Sequence, residues 1–368
     1  MIKKLIVIDA RLYGPHHTGI GRYTKNLIKA LTQLPDFNAY RWTLLVYPQL
    51  LNKIRSDLKN TFTYIPITLR HYTLAEQLFL PILLYRLKPH LVHFTNFNKP
   101  LLYFGTSVVT FHDLIKHFSR GPSTTTLASP LYWIKYLGYL TVTSLTIKLN
   151  RLIVPSNYWR DYIISHFHKK PADITTTHEA VDSHFLPLYK SHTTPKSYLI
   201  YTGNLYPHKN IKVIFQALRS LSQLQLKIIS GQNTFWDRTQ RLAQNLGIEK
   251  QVEFLGFIDD HQYKSIYSQA LALVHPALIE GFALTGLEAM ALNCPVIASN
   301  TTCIPEIYGQ AALYFNPQKP RELIRQITKL SLSPKLRQSL IKLGQRQVKK
   351  YSWSSTANKT FSVYQQLL

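Results

Sequence analysis

The chain has 368 residues, enough for two domains of ordinary size, because one hydrophobic core rarely grows beyond about 250 to 300 residues. Hydrophobic residues make up 45% of the sequence and aromatic residues 12%, which excludes a mainly disordered protein. The formal net charge of +25 attracts phosphate groups, whether in nucleotides, nucleic acids or lipid headgroups, although a basic surface that is merely solvated has the same composition.

Cysteine content and hydropathy indicate the cellular compartment in which we expect the protein. The two cysteines, Cys294 and Cys303, are too few to staple a chain of this length, and no secretory signal precedes the first strand-like run. The most apolar stretch, Leu78 to Leu84, is short and contains Pro81, whereas a membrane-spanning helix needs about 20 apolar residues. We therefore expect a cytoplasmic protein without a membrane-spanning segment.

The first half of the chain alternates between strand patterns and helix-length stretches. Residues 4–10 (KLIVIDA) predict a first strand, and residues 20–31 predict a helix because Tyr23, Leu27 and Leu31 share one face. Further strands are predicted at residues 42–47, 91–94, 107–113 and 151–156. Such alternation indicates a parallel sheet covered by helices.

A polar, proline-flanked segment at residues 185–195 (FLPLYKSHTTP) marks the predicted domain boundary. We place an N-terminal domain over residues 1–190 and a C-terminal domain over residues 191–349. A new strand begins at SYLIYTGNL directly afterwards, and more strands are predicted at residues 226–230, 252–257, 272–276 and 295–299. The second half therefore predicts a second doubly wound domain.

The final segment, residues 334–368, has a helical pattern with a break near residues 351–353. No strand pattern follows it. We expect its last helix, residues 350–368, to pack back on the N-terminal domain.

The densest chemical signal contains two acidic residues, Glu280 and Glu288, at a predicted strand-to-helix junction. If a helix begins near residues 283–285, its first N–H groups and the positive end of its dipole form an anion site suited to a diphosphate. Glu288, about one turn into that helix, could accept hydrogen bonds from ribose hydroxyls, and Glu280 could contact the transferred sugar. Simple complementation of the helix dipole by the two carboxylates is the alternative.

Several segments together resemble retaining glycosyltransferases of family 4. Residues 280–300 (EGFALTGLEAMALNCPVIASN) and 305–315 (PEIYGQAALYF) resemble the family signature, residues 201–210 (YTGNLYPHKN) its phosphate segment, and residues 252–258 (VEFLGFI) its base-binding strand. Residues 8–28 (IDARLYGPHHTGIGRYTKNLI) are similar to its opening strand, loop and helix. The resemblance covers nearly the whole chain and implies an α/β protein with the GT-B fold, two Rossmann-like doubly wound domains facing across a cleft.

The resemblance implies catalytic roles for His112, Lys209 and Glu280. His112, in FHDL at the end of a predicted strand, would face the transferred sugar through its side chain or its backbone carbonyl. Lys209 would stabilise the leaving diphosphate in place of a metal ion, and Glu280 would contact the sugar. Asp113 beside His112 also suggests a Ser-His-Asp hydrolase, but the sequence has no G-x-S-x-G motif.

Donor-binding residues are implied in both domains. Gly19 and Gly21 would let backbone N–H groups approach the donor phosphates, although a tight turn is the commoner use of glycine. The implied set in the C-terminal domain is Asn204, His208, Phe257, Ile258, Phe282, Ala283, Leu284 and Glu288. The family usually has an additional arginine near Lys209, often directly before it, where this chain has His208, and only Asn204 follows the glycine. The family also usually has glycine where this chain has Ala283, and frequently proline where it has Thr285.

The implied reaction is transfer of a hexosyl group from a nucleoside diphosphate sugar to a glycan or lipid-linked glycan acceptor, with retention of anomeric configuration. The motif combination is most similar to bacterial mannosyltransferase-like members in polysaccharide and O-antigen synthesis, which favours GDP-mannose as the donor. The leaving phosphate oxygen would take the acceptor proton. We expect no cofactor beyond the donor and no metal ion.

Two other classes of function are compatible with the sequence. The charge alone fits a non-enzymatic nucleotide- or nucleic-acid-binding protein, and the fold is also compatible with a sugar-nucleotide epimerase or a phosphorylase. No recognised nucleic-acid-binding module occurs and the basic residues are dispersed, so we expect no nucleic-acid partner.

Residues 70–86 and 132–151 mix aromatic and apolar residues with lysine and arginine. This composition suits peripheral contact with an anionic membrane at the inner face of the plasma membrane. Helices that pack an apolar face on the sheet and turn a basic face to water are the alternative. Exposure of the aromatic side chains distinguishes the two.

Overall fold

The computed structural model describes residues 3–14, 18–59, 61–121, 124–125, 127–185 and 197–368. The chain divides into two units. Residues 1–114, 129–179 and 352–368 form the N-terminal unit, and residues 115–128 and 180–351 form the C-terminal unit. Residues 186–196, which include most of the segment where we placed the domain boundary, lie outside the described residues, so that boundary stays a prediction.

Seven parallel strands, counted over its described residues, form the sheet of the N-terminal unit. In chain order they are β1 (Leu5–Asp9), β2 (Arg41–Val46), β3 (Thr63–Pro66), β4 (Leu91–Phe94), β5 (Ser107–Thr110), β6 (Arg151–Val154) and β7 (Ile174–Thr176). Their order across the sheet is β3-β2-β1-β4-β5-β6-β7. Every residue of β1, β4 and β5 is buried, which explains their continuous apolar sequences, because helices cover both faces of a parallel sheet.

Six parallel strands form the sheet of the C-terminal unit in the part that the structure describes. They are β8 (Tyr198–Thr202), β9 (Gln225–Ile229), β10 (Val252–Phe254), β11 (Ala272–His275), β12 (Val296–Ser299) and β13 (Ala312–Phe315). Their order is β10-β9-β8-β11-β12-β13. The first six strands of each unit thus have the same Rossmann-like order, in which the chain winds outward in both directions from the first strand.

Helices cover both sheets. In chain order they are α1 (Thr18–Leu31), α2 (Leu51–Leu58), α3 (Leu74–Leu87), α4 (Ile115–Phe118), α5 (Ser129–Leu149), α6 (Asn157–Phe167), α7 (Ile211–Leu218), α8 (Thr234–Asn245), α9 (Asp260–Gln269), α10 (Leu284–Ala291), α11 (Ile304–Tyr308), α12 (Pro320–Ser331), α13 (Pro334–Val348) and α14 (Trp353–Leu367). Helices α4 and α7 to α13 belong to the C-terminal unit, and the others to the N-terminal unit.

The last helix, α14, packs into the core of the N-terminal unit. Its residues Phe361 and Tyr364 are part of the buried cluster that includes Trp42 of β2. The Tyr364 hydroxyl lies 2.5 Å from Nδ1 of His93 on β4. The interruption between helices α13 and α14 lies where the sequence predicted a break in the helical pattern. Ser352 caps α14 by accepting a hydrogen bond from the backbone N–H of Ser355.

The prediction missed three strands, β3, β7 and β13. All three are edge strands, and each has only three or four residues. The four residues of β3 are half-buried or exposed, so they lack the continuous apolar pattern of a central strand.

Two predicted strands end three residues earlier than expected. The strand predicted at residues 107–113 ends at Thr110, so His112 and Asp113 follow β5 and do not lie on it. The strand predicted at residues 252–257 ends at Phe254, because Gly256 has a φ of 68° and turns the chain out of the sheet.

No helix within the described residues combines the length and the apolarity needed to span a membrane.

Candidate active site

The candidate site in the C-terminal unit lies at the carboxyl ends of β8 and β11. These adjacent strands flank the point where the strand order reverses direction, and ligands of such sheets bind at that point. The loop after β8 leads to a short 3-10 helix, Pro207–Lys209, and the loop after β11 leads to α10. The topology therefore brings together the two segments in which the sequence predicted phosphate and sugar contacts.

Lys209 and Glu280 form an ion pair in this region, with Nζ of Lys209 2.5 Å from Oε1 of Glu280. The side chains are 18% and 10% exposed. Asn210, whose φ is 55°, ends the 3-10 helix, and its side-chain amide donates to the carbonyl oxygens of Pro276 and Pro317. These hydrogen bonds tie the lysine-bearing segment to the loops after β11 and β13.

His275, the last residue of β11, also faces Glu280, with its Nε2 atom 2.7 Å from Oε1. Burial by itself would raise the pKa of Glu280, but the charge of Lys209 and the hydrogen bond from His275 hold that pKa well below its usual range. Glu280 is therefore a carboxylate at neutral pH. It is an acceptor for donors of the protein or of a sugar and not a source of protons.

Tyr308, at the end of α11, connects this cluster to the first turn of α10. Its buried hydroxyl lies 2.6 Å from Nδ1 of His275 and 2.7 Å from the carbonyl oxygen of Ala283, and it accepts from the backbone N–H of Gly286 at 3.0 Å. An added Cβ on Gly286 would overlap the Tyr308 ring, so only glycine allows this close approach. Sequence reasoning did not assign Tyr308 or His275 to the site, although Tyr308 lies within residues 305–315, which carry part of the family resemblance.

Helix α10 begins at Leu284, where the sequence predicted a helix start. Ala283 precedes it with φ 70° and ψ 44°, a left-handed conformation that favours glycine. This left-handed conformation explains the glycine that the family usually has at this position. Ala283 is buried, whereas Leu284 and Thr285 are half-buried.

Glu288 lies on α10 and is only 2% exposed. The hydroxyl of Tyr263 on α9 donates to Oε2 of Glu288 at 3.0 Å. Tyr263 stacks on Tyr267 with ring centroids 4.4 Å apart, and the Tyr267 hydroxyl donates to Thr202 at the end of β8. This chain of hydroxyls holds the Glu288 carboxylate toward β8, a connection that no sequence pattern had indicated.

His208 and Asn204 lie in the loop after β8. Burial, followed by the charge of Lys209, lowers the pKa of His208 to about 4, so its ring is neutral at pH 7. The ring of His208 lies parallel to that of Tyr206, with centroids 5.9 Å apart. The backbone carbonyl oxygen of Asn204 accepts a hydrogen bond from the Tyr201 hydroxyl. The neutral His208 therefore does not supply the positive charge of the arginine that the family often has directly before the lysine.

The predicted aromatic contacts have different surroundings. Phe257 is 92% exposed and lies against the backbone of Gly231, where an added Cβ would be 3.0 Å from its ring. Ile258 beside it is half-buried. Phe282 is buried against Tyr351, with ring centroids 5.7 Å apart.

His112 lies in the N-terminal unit, in the loop after β5. Its Nε2 atom donates to the carbonyl oxygen of Thr95 at 2.9 Å, and its Nδ1 atom lies 3.5 Å from Oε1 of Glu179. The Tyr23 ring packs edge-on against the imidazole at 4.7 Å. Both ring nitrogens thus face protein oxygens. Sequence reasoning missed Glu179, which has no motif of its own.

Gly19 and Gly21 lie in the first turn of α1, after the undescribed residues 15–17. Gly19 is exposed, and an added Cβ would meet no atom within 4 Å. Gly21 is buried, and its carbonyl oxygen accepts a hydrogen bond from the backbone N–H of Gly14.

A buried ionic cluster occupies the carboxyl end of β1 and was not predicted. Arg11 is fully buried, and its Nη2 atom lies 2.6 Å from both Asp9 Oδ2 and Glu76 Oε1. Burial raises the pKa of Glu76, whereas the charge of Arg11 overcomes burial and lowers the pKa of Asp9. Arg11 also donates to the carbonyl oxygen of Leu69, so it fastens the segment before α3 to the sheet.

Within the described residues, no group of three or more histidine, cysteine, aspartate or glutamate side chains is arranged to hold a metal ion.

Comparison with known proteins identifies relatives of the whole chain. Residues 190–347 match the family described as glycosyl transferases group 1. The chain is 26% identical to O-antigen chain mannosyltransferase B of Escherichia coli, over 95% of this chain and 96% of the relative. It is 23% identical to O-antigen chain mannosyltransferase RfbU of Salmonella typhimurium, over 85% of this chain and 87% of the relative.

Solved structures share the fold at low sequence identity. WaaG, a glycosyltransferase involved in lipopolysaccharide biosynthesis, superposes with a TM-score of 0.74 at 14% identity, over 98% of this chain and 99% of WaaG. Sucrose-phosphate synthase from Thermosynechococcus elongatus superposes with a TM-score of 0.74 at 19% identity, over 100% and 99% of the two chains. With its two Rossmann-like domains, the chain has the GT-B fold, and the match of residues 190–347 together with these relatives supports a group 1 glycosyltransferase similar to bacterial mannosyltransferases.

Proposed function

We propose that this glycosyltransferase moves a mannosyl group from GDP-mannose to a glycan or lipid-linked glycan acceptor, with retention of the anomeric configuration. Two relatives that match most of the chain are named as O-antigen chain mannosyltransferases, which supports mannose as the sugar and a cell-surface polysaccharide as the product. For mannose we favour guanosine diphosphate as the nucleotide of the donor.

The observation that carries the proposal is the Lys209–Glu280 pair at the carboxyl ends of β8 and β11, next to the start of α10. An ammonium group has three N–H donors, and Glu280 accepts one of them. We assign the other donors to the diphosphate of the donor. Glu280, held as a carboxylate, accepts hydrogen bonds from the hydroxyls of the transferred sugar.

The first turn of α10 supplies the second anion contact in this proposal. The first N–H groups of a helix have no partner within the helix, and the dipole adds positive potential there. Gly286 donates its N–H to Tyr308, so we assign the N–H groups of Leu284 and Thr285 to the phosphate oxygens. Glu288, steadied by Tyr263, accepts from the ribose hydroxyls.

The proposed reaction breaks the bond between the anomeric carbon and the leaving phosphate oxygen. The acceptor oxygen forms its bond to the same face of that carbon, and its proton passes to the leaving phosphate oxygen. Charge that accumulates on the diphosphate is stabilised by Lys209 and by the dipole of α10, groups that are already oriented before reaction. The proposal uses no separate protein base.

Thermal unfolding with added nucleotides tests donor choice. A ligand at a concentration about 100 times its dissociation constant stabilises a protein by about 2.7 kcal/mol, which raises the unfolding temperature by about 5 to 10 °C for a domain of this size. We expect GDP and GDP-mannose to raise it more than UDP, ADP and their sugars. No response to GDP, or a larger response to UDP or ADP, contradicts the choice of donor.

A matched pair of variants tests the site. Lys209→Met removes the proposed phosphate contact, whereas Lys212→Met changes an exposed lysine on the neighbouring helix α7. We expect the first variant to lose most of the GDP response and the second to keep it. Anomeric NMR signals of the product then test stereochemistry, and a product of inverted configuration contradicts retention.

A further inference from the structure

Two segments of the C-terminal unit each supply a donor to the carboxylate of Glu280. Nζ of Lys209 lies 2.5 Å, and Nε2 of His275 lies 2.7 Å, from the same oxygen atom, Oε1. Lys209 belongs to the short 3-10 helix after β8, whereas His275 is the last residue of β11. His275 therefore supports Glu280 from outside the segment that the proposed function assigns to the diphosphate.

Lys209 has a competing partner once a donor is bound. In the proposed function its ammonium group also contacts the diphosphate, which carries more negative charge than one carboxylate and therefore attracts the ammonium group more strongly. The flexible four-carbon stem of a lysine lets its ammonium group follow that attraction. A carboxylate oriented by Lys209 alone would then lose its fixed direction at the moment when the sugar has to be held.

His275 is fixed more rigidly than Lys209. Its backbone pairs with Ala298 of β12 inside the parallel sheet, and its side chain is 7% exposed. Nδ1, the ring nitrogen that does not face Glu280, lies 2.6 Å from the hydroxyl of Tyr308. Because each ring nitrogen has a hydrogen-bonding partner, the imidazole cannot turn without losing both contacts.

Tyr308 fixes the other end of this arrangement. Its side chain is fully buried, and its hydroxyl lies 2.7 Å from the carbonyl oxygen of Ala283 and 3.0 Å from the backbone nitrogen of Gly286. Ala283 and Gly286 lie on either side of the start of α10, the turn to which the proposed function assigns the phosphate oxygens. Burial raises the pKa of Tyr308 well above its usual value, so the hydroxyl keeps its proton and stays neutral.

His275 and Tyr308 thus connect Glu280 to the start of α10 through buried hydrogen bonds, and we call these two residues the buried link. A buried polar pair costs desolvation energy that its hydrogen bonds have to offset, whereas apolar side chains of similar size would fill the same space without that cost. The polar pair supplies direction instead, because hydrogen bonds restrict the angle at which each group points. The carboxylate of Glu280 is therefore oriented relative to α10.

The backbone of Glu280 is held separately from its side chain. Its N–H donates to the hydroxyl of Thr302 at 3.2 Å, and its carbonyl oxygen accepts from the thiol of Cys303 at 3.4 Å. Both partners belong to the segment between β12 and α11. Loss of the buried link should therefore change the direction of the carboxylate and leave the backbone of Glu280 in place.

We propose that His275 and Tyr308 are positioning residues that keep the Glu280 carboxylate directed at the transferred sugar while Lys209 contacts the diphosphate. The inference rests on the proposed function, because it takes Glu280 as the sugar contact. It goes further by assigning sugar recognition to a support that is separate from diphosphate recognition. Such a support acts mainly on the rate of transfer, since a shift of about 1 Å in a contact group can lower the rate about 100-fold.

Substitutions at His275 test the buried link by kinetics. His275→Leu removes the donor to Glu280, and we expect kcat to fall about 10- to 100-fold. In His275→Gln the side-chain amide nitrogen can donate in place of Nε2, so this variant should regain about 5-fold in kcat, the equivalent of one hydrogen bond. Equal kcat values in the two variants, or a wild-type kcat in His275→Leu, overturn the proposal.

Tyr308→Phe tests the other end of the buried link by removing only a hydroxyl group. We expect it to lower kcat about 3- to 10-fold, because His275 loses the partner of its second nitrogen. Tyr314→Phe is the matched control, since its hydroxyl also donates to a backbone carbonyl oxygen, that of Gly309 at 2.6 Å. The control should keep kcat within about 2-fold of the wild type. Equal losses of kcat in the two tyrosine variants contradict the proposal.

Ligand affinities separate the buried link from Lys209. Because GDP lacks the sugar, His275→Leu should keep its affinity for GDP within about 3-fold and lose about 5-fold in affinity for GDP-mannose, whereas Lys209→Met should lose affinity for both. Parallel losses for the two ligands in His275→Leu overturn the proposal. If another nucleoside diphosphate stabilises the wild type more than GDP does, the choice of donor fails, and the same comparison with that nucleotide and its sugar tests the link.

A double-variant cycle tests the buried link with no ligand present, so its outcome is independent of the proposed sugar transfer. Tyr308→Phe and Glu280→Gln are made singly and together, and the midpoints of urea unfolding are compared. Groups joined through hydrogen bonds give shifts that do not add, so the double variant should shift less than the sum of the single variants. In the His275→Leu background the two shifts should add. Additive shifts with His275 in place overturn the proposal.

Discussion

Replacing Lys209 and Glu280 singly and together separates their structural role from their chemical role. The two side chains are in direct contact and are 18% and 10% exposed. Removing one partner of a fully buried ion pair costs about 3 to 5 kcal/mol, because it leaves the other charge buried. With this partial exposure, and with His275 still bonded to Glu280, we expect Lys209→Met to lower the free energy of unfolding by about 2 kcal/mol.

The double variant, Lys209→Met with Glu280→Gln, leaves neither charge buried. We therefore expect it to be less destabilised than the sum of the single variants, with a coupling energy of about 1 to 3 kcal/mol. Transfer activity should behave differently. Loss of an oriented group that stabilises transition-state charge lowers kcat by about 10² to 10³, so we expect the double variant to regain stability and not activity.

Urea unfolding measures the stability, and initial-rate assays measure the transfer activity, of the wild type, the two single variants and the double variant. The pH dependence gives a further check, because the pKa of Glu280 is lower in the folded state than in the unfolded state. The stabilisation from the pair is then complete above about pH 4.5 and declines as the pH falls toward the folded-state pKa. A coupling energy near zero, or a double variant with wild-type kcat, refutes the reasoning.

Two further substitutions test the surroundings of the site. Gly286→Ala forces a methyl group against the buried Tyr308 ring, so we expect the free energy of unfolding in urea to fall by about 1 to 3 kcal/mol. Gly138→Ala is the control, at an exposed helix position with no atom within 4 Å of the new Cβ, and should raise the free energy of unfolding by about 0.5 to 1 kcal/mol. Equal effects of the two substitutions would show that the Tyr308 ring does not restrict the size of the residue at position 286. Tyr263→Phe removes a donor from Glu288 and should weaken GDP binding by about 3- to 10-fold in calorimetric titration, since a hydrogen bond contributes about 1 kcal/mol. If a dideoxyribose analogue of GDP loses as much affinity as GDP does in this variant, Tyr263 does not act through ribose recognition.

Buried strands and the helices between them were predictable from hydrophobic pattern. Central strands such as β1 and β11 are short apolar runs that end in polar loops, and this pattern indicates a covered parallel sheet. The missed edge strands β3, β7 and β13 have only three or four residues each, and each includes residues that are half-buried or exposed. The segment TYIP of β3 therefore passed unrecognised.

The location of the site was predictable to a similar extent. Lys209 and Glu280 were chosen from separate motifs, and the fold brings them into contact although 71 residues separate them. The residues that hold them in place were not predictable. Tyr308 and Tyr263 reach the site from α11 and α9, and no spacing rule relates them to the acidic residues that they support.

The position of α14 affects the order in which the chain can fold during synthesis. The core of the N-terminal unit includes Phe361 and Tyr364, which are synthesised after the whole of the C-terminal unit. The C-terminal unit ends at Tyr351 and needs none of them. The half of the protein that is synthesised first therefore completes its core last, and until then the pocket for Phe361 beside Trp42 is available to chaperones or to another nascent chain.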